Sequence, residues 1–297
     1  MGLGAYRTAW KRQTKYFGHQ HGQQYSSLVF DNRGIGLSDK PTCRYSTSEI
    51  AKDVVDLLIS IGWLASSAQQ HDTTTTTTTT TSSSSTPPKR DLHIIGVSMG
   101  GMIAQELGLL IPDSIASLIL VSTFSRIVRT VPFIQNLRDR INMFIPRDID
   151  FQLIDISKRL FSDSFMQLPD TENDDPKLNY PTNWERFAAN ELVKRSDKSG
   201  FTRKGFMLQA IAAGWHVKTK EQLVQLKQRV GAERIAVVHG TIDRMITFKH
   251  FEILKEELGE GPEYRVWQGR GHVLMWEEEK EFNDFVQRFV DGRDGKS

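Results

Sequence analysis

Leu92-His93-Ile94-Ile95-Gly96-Val97-Ser98-Met99-Gly100-Gly101 decides how this chain is read. Leu92 to Val97 is a short, nearly continuous apolar run, which suits a strand buried on both faces of a parallel sheet. Gly100 to Leu110 reads as a helix that stops before Pro112. Between them lies Gly96-x-Ser98-x-Gly100, a pattern that needs a sharp strand-to-helix turn to lift the serine hydroxyl into the open. Such a turn is strained and crowded, so its flanking positions need minimal side chains, and Gly96 and Gly100 supply them. Gly101 lets the following helix approach closely. The helix N-terminus adds a field that favours a developing negative charge beside Ser98.

A serine hydroxyl is a weak nucleophile and needs a base. Of the eight histidines, His71 lies in a Thr/Ser tract and His19 and His21 in a polar loop. His93 and His239 lie on predicted strands, and His250 lies in a predicted helix. His216 ends a helix and stays a second candidate. His272 lies in Gly269-Arg270-Gly271-His272, a loop between the last strand and the last helix, from which it can fold back over the strand ends. A base in turn needs an orienting acid. Asp243 follows Val237-Val238-His239-Gly240-Thr241-Ile242, just past a predicted strand. The end of the preceding core strand, Ser122-Thr123-Phe124, has no carboxylate. The chain order is therefore Ser98, Asp243, His272.

Outward from the serine turn, Tyr25 to Asp31, Ser117 to Val121, Arg234 to Val238 and Tyr264 to Trp267 read as strands. Ser46-Thr47-Ser48-Glu49 fits a capping box for a helix carrying Ile50, Val54, Leu57, Leu58 and Ile61 on one face. Phe248 to Leu258 reads as a helix, and so does Phe282 to Val290, with Phe282, Phe285, Val286 and Phe289 on one face. Strands alternating with helices imply an α/β sheet, mostly parallel. Residues 124–230 break the rhythm with helical patterns at Phe133 to Ile145, Ile149 to Phe161, Asn183 to Lys194, Phe201 to Trp215 and Glu221 to Val230. They are read as a helical cap inserted into a core of residues 1–123 and 231–297. Residues 71–89, largely threonine and serine, are read as a disordered loop insertion.

Composition narrows the functions open to the chain. Lys+Arg 38 against Asp+Glu 36 leaves a net charge of +2, which argues against a nucleic-acid partner. One cysteine, Cys43, excludes a disulfide framework and a cysteine zinc site. No apolar run approaches the about 18 residues of a membrane span. The start Met-Gly-Leu-Gly-Ala-Tyr-Arg-Thr lacks the marks of a signal peptide, so a cytoplasmic location is expected. Arg33 is read as a structural ion pair or loop anchor and Glu277 to Glu281 as a solvated first helical turn. Phe206, Met207, Ile211 and Trp215 either line a substrate pocket or pack the cap.

Four pieces together, Asp31-Asn32-Arg33-Gly34-Ile35-Gly36-Leu37-Ser38, Gly96 to Gly101, His239-Gly240-Thr241-Ile242-Asp243 and Gly271-His272, resemble the α/β-hydrolase fold family. The resemblance covers the chain except the Thr/Ser tract and weakens in the cap. It is nearest to the capped esterase, lipase and C–C hydrolase branch. It implies a mostly parallel sheet with helices on both faces and a Ser98-Asp243-His272 triad. It also implies an oxyanion hole from the Met99 N–H and, with Met1-Gly2-Leu3-Gly4 as the second loop, the Leu3 N–H. The implied activity is hydrolysis of a small-molecule carboxyl ester with an apolar acyl group, needing no metal or organic cofactor. Acyl transfer, C–C cleavage by the same triad, or a non-catalytic binding protein are the alternatives. Against the family pattern the first three strands are expected to be missing, as in an N-terminally truncated member.

Overall fold

Ile115–Val121 is buried at every one of its seven positions, and such a run of β-branched and leucine side chains finds its place at the centre of a sheet covered on both faces. The computed structural model describes residues 1–65, 90–128, 134, 147–172 and 178–292. Among these, β1 (Leu92–Val97), β2 (Ile115–Val121), β3 (Ile235–Gly240) and β4 (Glu263–Trp267) form one parallel sheet in the order β1-β2-β3-β4. In chain order the longer helices begin with α1 (Thr47–Ser60), α2 (Met99–Leu110), α3 (Ile149–Leu160), α4 (Asp163–Gln167) and α5 (Asn183–Ser196). They continue with α6 (Arg203–Gly214), α7 (Lys220–Val230), α8 (Phe248–Leu258), α9 (Leu274–Glu277) and α10 (Glu279–Asp291). Among the described residues no helix is long and apolar enough to cross a membrane.

Strand periodicity divides the core. Ile119 and Val121 of β2 face Phe282, Phe285 and Phe289 of α10, with Trp10 and Phe17 completing that layer. Leu118 and Leu120 face the other way, onto Leu223, Leu226 and Val230 of α7 and Leu254 of α8. A third cluster joins α1 and α2 to Leu208 and Ala212 of α6. The Ser46–Glu49 capping box opens α1 as its sequence predicts.

Three expectations need correction. Tyr25 to Asp31 forms no strand, and its bonds join no ladder. It is extended, with Tyr25 and Val29 packed against one cluster and Leu28 and Phe30 against another. The alternation that signals a strand is present, but among the described residues β1 pairs only with β2 and gives the segment no partner. Second, the helix read over Glu221 to Val230 among the cap helices buries its apolar face on the sheet as α7, and an isolated bridge joins Arg126 to Val217. Third, residues 7–20 are helical, including a π-helix over Thr14–Gln20 that contains His19, where a polar loop was expected. The Thr/Ser insertion at 71–89 and the Phe133 to Ile145 helix lie outside the described residues, apart from Ile134.

Candidate active site

β1 delivers Ser98 to the carboxyl edge of the sheet, in a backbone conformation that few non-glycine residues adopt, φ 58° and ψ −121°. The turn is fixed by the neighbouring strand. Ser98 N–H donates to the Val121 carbonyl (2.9 Å), and Thr123 Oγ1 donates to the Ser98 carbonyl (2.8 Å). A Cβ on Gly96 would stand 2.3 Å from the Gly100 carbonyl oxygen, and one on Gly100 would stand 2.9 Å from that of Met1, so both glycines are required sterically. Met99 is the first residue of α2, where a backbone N–H has no intrahelical acceptor. Ser98 is 7% exposed, and among the described residues its hydroxyl makes no protein hydrogen bond.

Asp243 lies three residues past β3 and is buried. Its Oδ1 accepts from the N–H groups of Met245 and Ile246 (both 2.8 Å), and its Oδ2 accepts from His272 Nδ1 at 2.7 Å. Burial pushes this carboxyl upward, but the His272 charge and the hydrogen bonds from His239 and His272 outweigh it and hold the pKa at about 2. Asp243 is thus an anion ready to fix the imidazole tautomer with Nδ1–H toward itself. His239, placed by its sequence on a strand, lies beside it: Nε2 donates to the Ile246 carbonyl (2.9 Å) and lies 3.3 Å from Asp243 Oδ2.

His272 follows β4 and is held largely by the cap. Its N–H and that of Val273 donate to the carbonyl of Leu160, the last residue of α3 (2.8 and 3.1 Å). Gly271 N–H donates to Glu277 Oε1 (2.8 Å), and the same carboxylate accepts from Ser162 N–H (3.1 Å) and Ser162 Oγ (2.6 Å). Glu277 is therefore a clasp between the histidine loop and the cap, not the solvated helix-turn residue expected. Burial raises its pKa, against the lowering effect of those bonds. No local pattern separates it from Glu278 and Glu279, so nothing in its sequence surroundings reveals the role.

The segment Met1 to Gly4 crosses the serine turn. A Cβ on Gly2 would lie 3.0 Å from Ser98 Cβ and 3.4 Å from Ser98 Oγ, which puts Leu3 next to the elbow. Arg33, read as a structural ion pair or loop anchor, forms a two-pronged ion pair with Asp53. His216, the second candidate, has other partners: its Nδ1 bonds Thr47 Oγ1 (2.9 Å) and lies 3.6 Å from Glu106, which also pairs with Lys218 (2.7 Å). A groove of about 480 Å³ on the cap is lined by Ile154, Lys158, Met166 and Trp184 among others, but not by Ser98, Asp243 or His272. Among the described residues no group of three or more His, Cys, Asp or Glu is arranged to hold a metal ion.

Solved structures share this fold at low identity. A thermophilic esterase from Thermogutta terrifontis matches with TM-score 0.64 and 18% identity over 98% of this chain and 88% of that one. An N-acyl homoserine lactone degrading enzyme matches with TM-score 0.64 and 20% identity over 97% and 90%. A bacterial membrane phospholipase A matches with TM-score 0.66 and 20% identity over 99% and 77%. No curated protein matches the sequence. The family model described as alpha/beta hydrolase family matches residues 2–285. That match spans both halves of the sheet, the cap and all three residues of the constellation, and the chain belongs to the alpha/beta hydrolase family.

Proposed function

We propose that this protein is a serine hydrolase that cleaves a carboxyl ester through an acyl-enzyme. The observation that carries the reading is the 2.7 Å bond from His272 Nδ1 to buried Asp243, combined with Ser98 in its strained turn at the same sheet edge. His272 Nε2 takes the Ser98 proton as Oγ attacks the ester carbonyl. The negative charge moves to the carbonyl oxygen, where the N–H groups of Met99 and Leu3 receive it. Collapse of the tetrahedral adduct breaks the ester C–O bond, and the alcohol leaves with the proton from His272. Water, deprotonated by the same nitrogen, then attacks the acyl-serine; the acyl C–O bond breaks, His272 returns the proton to Ser98 Oγ and the acid leaves. Asp243 keeps Nδ1 protonated throughout and stabilises the imidazolium. The hydrogen bond between a catalytic nucleophile and its base is commonly long in an unliganded site and forms fully when substrate closes it. The ester class draws support from the esterase and lactone-degrading chemistry of two similar structures.

The test is an active-site fluorophosphonate followed by peptide mapping. One adduct on Ser98, absent in Ser98→Ala, together with turnover of p-nitrophenyl esters, is the expected result. Wild-type protein that is neither labelled nor hydrolytic overturns the reading.

A further inference from the structure

We propose that Gln209, in the middle of the cap helix α6, is a positioning residue for the oxyanion loop; this rests on the ester-hydrolase reading above. Gln209 is fully buried, and both ends of its amide are used. Its Oε1 accepts from Gly4 N–H at 3.0 Å, and its Nε2 donates to the Arg33 carbonyl at 2.9 Å. The partners are 205 and 176 residues away in sequence, so neither bond serves the helix itself. The two partners also fix which way the amide points, because Gly4 can only donate and the Arg33 carbonyl can only accept. A buried amide gains little net stability over an apolar side chain of the same shape, so geometry is its main yield.

The rest of the same helix face explains the close approach. One turn earlier, a Cβ on Gly205 would lie 1.9 Å from the Gly34 carbonyl oxygen, so only glycine lets α6 dock there. Phe206 packs its ring onto Gly4, which stands at φ +69°. The helix thereby grips the two glycine-rich loops at once, the one over Ser98 and the one after Asp31.

The loop carrying Leu3 has two ends. Gly2 rests on Ser98, and Gly4 hangs from Gln209. Ala5 N–H closes a turn over Leu3 and Gly4 by donating to the Gly2 carbonyl (3.3 Å), and beyond it the segment is tied by Tyr6 Oη to Asp197 (3.0 Å) and Arg7 N–H to Asp31 Oδ1 (2.6 Å). Removing the Gln209 acceptor leaves the Gly4 N–H unpaired and cuts the tie between this turn and α6, so the Leu3 peptide can tilt with the turn. Tyr45 Oη also bonds the Arg33 carbonyl (3.2 Å), so the other loop keeps a donor. The effect of Gln209 is thus directed at the oxyanion side.

The test compares Gln209→Met, which keeps the shape without hydrogen bonds, with Gln209→Glu. Rates are expressed per fluorophosphonate-titrated site, which removes any loss from misfolded protein. Gln209→Met is expected to lower kcat by about 10–100-fold with KM within about twofold, because misplaced oxyanion donors act on the transition state. Affinity for a trifluoromethyl ketone should fall by the same factor as kcat/KM, since its hemiketal oxygen uses the same donors. In Gln209→Glu the neutral acid can both accept from Gly4 and donate to Arg33. Its activity relative to wild type should therefore rise as pH falls. That arm stands alone if Gln209→Met does not fold. Unchanged kcat per titrated site, or a loss confined to KM, overturns the proposal. Inactive, unlabelled wild type overturns it together with the ester-hydrolase reading, whereas active wild type with an indifferent Gln209→Met overturns this proposal alone.

Discussion

The serine turn and the two loops that face it are held by different parts of the molecule. Ser98 is fixed by β2, through the Val121 carbonyl and Thr123, and by the glycines beside it. His272 hangs from Leu160 and from the Glu277–Ser162 clasp, and Gly4 hangs from Gln209 of α6. Ser98 is therefore set by the sheet, whereas His272 and the Met1 to Gly4 segment reach their places through the cap. On the proposed reading, a displaced cap would leave Ser98 in its strained conformation and dismantle what activates it.

The largest expected effect is on the sheet side. Ser98→Ala should lower kcat by on the order of 10⁵–10⁶ with the melting temperature little changed, and His272→Ala should be comparably severe, because triad members act as a unit. Near-wild-type hydrolysis by purified Ser98→Ala would refute the assignment. Asp243→Asn should cost on the order of 10⁴ in kcat, since the amide favours the wrong imidazole tautomer. An unchanged rate would mean that another acid orients His272.

The cap side should show a smaller and more graded response. Glu277→Ala frees Gly271 and Ser162 together and should lower kcat by about 10–100-fold through misplacement of His272. Glu277→Gln keeps an acceptor for both N–H groups and should retain most of the activity. Equal rates for the two variants would show that the clasp does not position the base. Because burial raises the Glu277 pKa above 4.5, stability is lost as pH rises from 4.5 through the raised value, and melting temperature in Glu277→Gln should lack that part of the pH dependence.

The same contrast governs what was legible in the sequence. The elbow is local: a six-residue strand with four apolar residues, the glycines on either side of Ser98 and a helix start lie within one contiguous stretch. Asp243 and His272 could be found because each follows a strand by a few residues. Gln209 and Glu277 act on partners brought near by the fold, the first across 205 residues, and no periodicity records that. Tyr25 to Asp31 fails for a related reason. Its alternation is real and its side chains divide between two clusters, yet strand pairing is a property of the neighbour as much as of the segment. Lys220–Val230 reads as amphipathic either in a cap or on a sheet, and only the contacts with Leu118 and Leu120 decide it.

The smallest effect concerns where the cap returns to the core. His216 is buried between Thr47 of α1, Glu106 of α2 and Lys218, which itself pairs with Glu106. Burial, and then the Lys218 charge, lower its pKa from 6.5 to about 3, so the folded protein holds it neutral. The unfolded chain takes up that proton once pH drops below about 6.5, so stability is lost progressively as pH falls from there toward 3, by at most about 1.4 kcal/mol per pH unit. His250, also lowered by burial, adds to the fall with the same sign. Asp243 contributes only later, as pH falls from 3.8 toward 2. Melting temperature between pH 7 and 4 should therefore decline less steeply in His216→Gln than in wild type, from whatever baseline that variant has. If the loss is confined to the cap junction, fluorophosphonate labelling of wild type at pH 5 should slow before the sheet-held strands lose their amide exchange protection. Identical slopes for the two proteins, or strands that open together with the loss of labelling, would mean that cap and sheet unfold as one unit and that the division between sheet-held and cap-held loops has no energetic counterpart.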